Sequence, residues 1–125
     1  MPAKKEPLLL LDNNSMYVIG AGTYRSTNLS FEEAKAIIEM YDPEDIIRCY
    51  ADTEFERVVH EYLGIEKRDF AYKRIRRMRV GQDAIVFKLY ITPSETQPVI
   101  EADDGVQAKK IQNIYVFCQY ITRES

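Results

Sequence analysis

The stretch that most restricts the fold of this chain runs from Ala71 to Pro93, AYKRIRRMRVGQDAIVFKLYITP. Lys73, Arg74, Arg76, Arg77 and Arg79 crowd its first half, and in an extended strand they fall on both faces, because successive side chains point to opposite sides. Such a segment cannot be the buried centre of a sheet. The second half, Ala84 to Ile91, is β-branched and aromatic and reads as a strand packed on at least one face. With Gly81-Gln82-Asp83 as the turn, the stretch predicts a β-hairpin with a basic edge arm and a buried arm.

Net charge is −3, but the window Glu66 to Arg79 holds seven Lys/Arg against two acids, a +5 strip on a −8 body. A local strip on an acidic body suits a compact phosphate ligand better than non-specific duplex binding, which needs a wide basic face. It equally suits an edge strand kept basic for solubility. At 125 residues and 46% hydrophobic content, the chain can bury one core without disulfide or metal staples. Cys49 and Cys118 lie in apolar surroundings with no second histidine beside His60 to complete a zinc site. They are expected to be reduced core residues of a cytoplasmic protein, and no metal or cofactor is expected. No apolar run reaches the roughly 18 residues of a membrane span, so no membrane partner is expected.

In chain order, residues 1–7 read as a disordered leader and 8–125 as a single domain. Leu8 to Leu11 forms a short apolar strand ended by the turn-forming Asp12-Asn13-Asn14-Ser15. Met16 to Ile19 continues or restarts a strand, and Gly20-Ala21-Gly22 lacks the third glycine of a dinucleotide fingerprint, so it reads as a bend. Ser30 and Glu33 form a capping box, followed by Phe31, Ala34, Ile37, Ile38 and Tyr41 on one helix face, with Asp42-Pro43 as the stop. Ile46 to Tyr50 is a strand. Thr53 and Glu56 suggest a second capping box, with Asp52 as a competing cap, and Phe55, Val58, Val59, Tyr62 and Leu63 stripe a helix that Gly64 terminates. His60 falls off that stripe and reads as a surface residue, with no partner assignable for catalysis. Thr92 to Gln112 reads as loop, with a short helix within Asp103 to Lys110 and a solvated turn at Glu101 to Gly105. Asn113 to Thr122 is a nearly unbroken apolar strand of the kind found at a sheet centre. The sum is an α+β fold: a single mixed β-sheet of four to five strands with two main amphipathic helices.

This order of features resembles a family of small, mostly viral and mobile-element proteins that includes the type III anti-CRISPR ring nucleases, first catalogued as a domain of unknown function. The resemblance is carried by Leu8 to Leu11 running into Asn13-Asn14-Ser15, by Gly22-Thr23-Tyr24 and the helix Leu29 to Ile38, and by Ile46 to Tyr50. It continues through Phe55 to Gly64, the basic Lys73 to Val80, the turn-and-strand Gly81 to Leu89, and Tyr115 to Arg123. It implies a homodimer that binds cyclic tetra-adenylate across its two-fold axis, each half-site meeting the same chemistry. In such proteins the ligand's ribose 2′-OH attacks the adjacent phosphorus without metal, and a Gly-His pair at the start of the second helix protonates the leaving oxygen.

Here Ala51-Asp52 stands where that Gly-His pair is expected, and Ile91-Thr92-Pro93-Ser94 where the family carries an arginine. The ligand-holding residues implied are Asn13, Asn14, Ser15, Lys73, Arg74 and Arg76. The expectation is therefore a cytoplasmic cyclic oligoadenylate binder that cleaves weakly or not at all. A second reading is a protein-interaction module of the same fold that inhibits a host factor. A third is nucleic-acid binding by the basic arm, with Tyr72 stacking on bases.

Overall fold

Four consecutive leucines, Leu8 to Leu11, have no exposed surface. They make up most of strand β1 (Leu8–Asp12), whose alternation sends Leu8 and Leu10 into one apolar cluster and Leu9 and Leu11 into another on the opposite face. A run with no polar face belongs in the middle of a sheet covered on both sides. The computed structural model, which describes residues 6–66, 70–91, 108–111 and 114–125, has that arrangement. β1 pairs in parallel with β3 (Ile46–Arg48) on one side and β5 (Asp83–Ile91) on the other.

The other strands are β2 (Tyr24–Leu29), β4 (Ala71–Tyr72), β6 (Ala108–Ile111) and β7 (Ile114–Arg123). The sheet order is β2-β7-β5-β1-β3-β4, with β6 pairing β7 off that path. β4 runs parallel to β3, whereas β7 is antiparallel to β2, β5 and β6. The class is α+β with one mixed sheet, as expected, with seven strands among the described residues where four to five were expected. β2 escaped the sequence reading because YRSTNL is exposed along most of its length and offers no hydrophobic alternation.

Helices α1 (Phe31–Glu39) and α2 (Thr53–Leu63) cover one face of the sheet. α1 starts at the expected Ser30–Glu33 capping box and buries Phe31, Ala34 and Ile38. α2 buries Phe55, Val59 and Leu63 against Leu10, Ile85 and Phe87, and ends at Gly64 with φ 69°, a left-handed conformation that suits glycine. Its cap is Asp52 and not the Thr53–Glu56 pair, because Glu56 is drawn inward by Arg48.

Among the described residues, two irregular pieces cover the opposite face. One is a 3-10 helix, Asn13–Val18, where a strand from Met16 was expected. The other is the basic run itself. Residues 73–80 do not pair with β5, so the expected hairpin is absent: β4 ends at Tyr72 on the far edge of the sheet, and β1 and β3 lie between it and β5. The apolar anchors of the run, Ile75 and Met78, are three residues apart, a spacing a strand would send to opposite faces. The chain therefore leaves the sheet and crosses its back, packing Ile75 and Met78 onto Leu9, Leu11, Cys49 and Val86, while the Met78 N–H donates to the Val18 carbonyl at 3.1 Å.

Residues 108–110, expected in a helix, are in strand β6; the rest of that stretch, with Glu101 to Gly105, lies outside the described residues. Residues 1–5 of the expected leader lie outside them as well. No helix among the described residues is long and apolar enough to cross a membrane.

Candidate functional site

β1 is where the strand order reverses. From it the chain runs through β2 and α1 to β3 on one side, and then on from β3 through α2 and β4 to β5 on the other side of β1. In sheets with parallel strands, the crevice beyond the carboxyl ends at such a reversal is the usual ligand position. Asp12, the last residue of β1, stands there with 1% of its surface exposed.

Its carboxylate holds the region together. Oδ1 accepts from the backbone N–H groups of Asn14 and Ser15, at 2.9 and 3.0 Å, and from the Ser15 hydroxyl at 3.1 Å. Oδ2 accepts from the N–H groups of Ala51 and Asp52, both at 2.9 Å. The Ser15 hydroxyl in return accepts the Asp12 N–H at 2.8 Å. Asp12 thus clamps the turn after β1 to the start of α2. Asp52 continues the chain of acceptors by taking the N–H groups of Glu54 and Phe55 at 3.0 and 3.1 Å. The sequence carried a signal for this clamp, since Asp12-x-x-Ser15 has capping-box spacing, although the reading above treats it only as a turn.

Between these elements lies a cleft of about 210 Å3 lined by Asp12, Asn13, Asn14, Asp52 and Phe55. Asn13 and Asn14 are exposed. Ser15 is fully buried and serves the clamp. The N–H groups at the start of α2, which would otherwise attract a phosphate, already face two carboxylates. The cleft therefore suits the hydroxyl and amino groups of a ligand, with amides from Asn13 and Asn14 and acceptor oxygens from Asp52.

The predicted site residues divide. Asn13 and Asn14 share one cleft with Asp52, which stands where the resemblance expects a histidine. Lys73 lines a separate recess on the opposite face, and Arg74 and Arg76 are exposed and line neither.

His60, expected at the surface, is 5% exposed. Its Nε2 lies 3.0 Å from the Tyr50 hydroxyl and its Nδ1 3.2 Å from the Ile65 carbonyl, so burial is compensated by partners on both ring nitrogens. The Tyr72 hydroxyl donates to the Tyr50 carbonyl at 3.0 Å, tying the β4 edge to the chain just before the cleft. The apolar stripe of α2 could not reveal these contacts, which come from Tyr50 after β3 and Ile65 after α2.

The chain shares its fold with a viral protein. B116 of Sulfolobus turreted icosahedral virus superposes with a TM-score of 0.60 at 12% identity, over 94% of this chain and 99% of that one. At that identity the likeness concerns the architecture. No protein-family model matches the sequence, and no curated protein matches it.

Both cysteines are buried and free, as expected. Burial pushes each thiol from the ordinary 9.0 up to about 12. Native protein should therefore leave both unreactive toward a disulfide reagent at neutral pH, and both should react on unfolding. The folded state holds these protons more tightly than the unfolded chain. Their contribution to stability is accordingly full below about pH 9 and declines as pH rises toward 12, which alkaline titration of the melting temperature would register.

Proposed function

We propose that the chain is a virus- or mobile-element-encoded cytoplasmic protein that binds a cyclic oligoadenylate as a homodimer, with weak or no ring cleavage. The observation that carries this reading is the meeting of Asn13, Asn14 and Asp52 at the carboxyl end of β1, where the order of parallel strands reverses. A likeness in fold to a viral protein over nearly the full length of both chains agrees with it. Two such clefts related by a two-fold axis would hold equivalent parts of a symmetric ring, with the amides and Asp52 reading hydroxyl and amino groups. Phosphates would lie away from the two carboxylates.

Weak cleavage follows from the role of Asp52. Its Oδ1 accepts two backbone N–H groups, the opposite of donating a proton to a leaving oxygen. Cyclic tetra-adenylate at about 100 times its dissociation constant should add about 2.7 kcal/mol of stability, seen as a raised melting temperature, with little or no linear product by chromatography. No stabilisation by this or any related cyclic nucleotide would overturn the proposal.

The exposure of Arg74 and Arg76 away from both recesses favours a second reading, a protein-interaction surface at the sheet margin beside the exposed Tyr72. Capture of a host protein that is lost with Arg76→Ala, but kept with Asn14→Ala, would support it over ligand binding.

A further inference from the structure

The face of the sheet opposite the helices carries a recess of about 420 Å3 that shares no lining residue with the asparagine cleft. Ile47 and Ile75, both half-buried, give it an apolar floor. Lys73, Arg77 and Arg79 bring positive charge to its lining, and Glu6, Glu44 and Asp45 negative charge. The basic segment is anchored. The Gln82 side chain accepts from the Arg79 N–H at 2.9 Å and donates to the Pro7 carbonyl at 3.0 Å. Gly20 makes room for Arg77, since a Cβ there would lie 2.9 Å from its Nε. Arg79 pairs with Glu6 at 3.8 Å. Lys73, Arg77, Glu44 and Asp45 form no ion pair among the described residues.

Two cations and two carboxylates that line one recess with an apolar floor and are not paired with each other complement a ligand that is itself dipolar, and the volume falls within the roughly 300–1,000 Å3 of small-molecule sites. We infer that this recess is a second ligand site, for a nucleoside monophosphate whose base bears an exocyclic amine. The phosphate lies between Lys73 and Arg77, where a guanidinium can grip two oxygens. The base covers Ile47 and Ile75, and its amine donates to Asp45 or Glu44. The inference uses none of the residues that carry the proposed function, so either can fail alone.

Titration of the full chain with AMP, UMP, adenosine and inorganic phosphate, followed by NMR shifts of backbone amides, tests it. AMP should bind saturably, and UMP, adenosine and phosphate alone about tenfold or more weaker, the size expected when one charge-assisted hydrogen bond or the base contact is lost. Arg77→Ala should abolish AMP binding. Asp45→Ala combined with Glu44→Ala should erase the preference for AMP over UMP, and Asn14→Ala should leave AMP binding unchanged. These positions are exposed or half-buried, so the variants are expected to fold. Absence of saturable AMP binding would overturn the inference. So would equal affinity for UMP, adenosine or phosphate, survival of binding in Arg77→Ala, or its loss in Asn14→Ala.

Discussion

Asp12→Ala is expected to lower the stability of the folded chain by about 3–5 kcal/mol, measured by urea denaturation with circular dichroism. The carboxylate accepts four backbone N–H groups and one hydroxyl while only 1% exposed. Its removal strands those donors at the junction of β1 and α2, and each buried orphan costs about 1–3 kcal/mol before relaxation or entering water reduces the sum. Asp12→Asn should also be strongly destabilising, because the amide keeps one acceptor oxygen but turns an NH2 toward donors that need an acceptor. Ser15→Ala should cost less, about 1 kcal/mol, since the backbone bonds to Asp12 remain. A loss below about 1 kcal/mol for Asp12→Ala would show that the clamp is dispensable.

The second large effect is expected for Glu56→Ala, also about 3–5 kcal/mol, because it leaves a buried charge without its partner. Glu56 accepts from the Arg48 guanidinium, and the two side chains are 4% and 16% exposed. Arg48 also donates to the Phe70 carbonyl at 3.0 Å and lies 5.6 Å from the centre of the Tyr72 ring, so the pair fastens the β4 edge to α2. Replacing both partners with apolar residues, Arg48→Met with Glu56→Leu, should recover much of the loss, because no lone charge then stays buried. If the double variant is as unstable as Glu56→Ala, the cost lies in lost packing or in the Phe70 contact and not in the orphaned cation.

Much of this architecture was legible in the sequence wherever a local pattern and its partner were both written nearby. The Ser30–Glu33 box, the Phe31–Ala34–Ile38 stripe and the Gly64 terminator are local devices, and each stands where expected. Leu8 to Leu11 showed its strand by being apolar throughout. The basic run misled because charge density reports exposure but not pairing: an edge strand and a segment crossing the back of a sheet are equally exposed, and only the three-residue spacing of Ile75 and Met78 separates them. His60 misled for a related reason, since helical periodicity places it off the main stripe while Tyr50 and Phe70, from connections outside the helix, lie against it.

The candidate site was legible in part. Asn13 and Asn14 were implied by the family resemblance, and Asp52 entered only as the residue at the position expected to be histidine; the structure brings them together. Asp12 was hidden because its four backbone donors come from two segments about forty residues apart, and a capping pattern read locally reports only the nearer one. Lys73, Arg74 and Arg76 were grouped by sequence proximity, which a crossing segment does not preserve in space.

Titration calorimetry of the full chain with cyclic tetra-adenylate, beside Asn14→Ala, tests the central claim most directly. Asn14 bonds Asp12 through its backbone, so the variant keeps the clamp and should melt as the parent does. Saturable binding of one ring per two chains is expected, abolished or weakened at least about tenfold in the variant. Heat indistinguishable from dilution, or undiminished binding by Asn14→Ala, would contradict it.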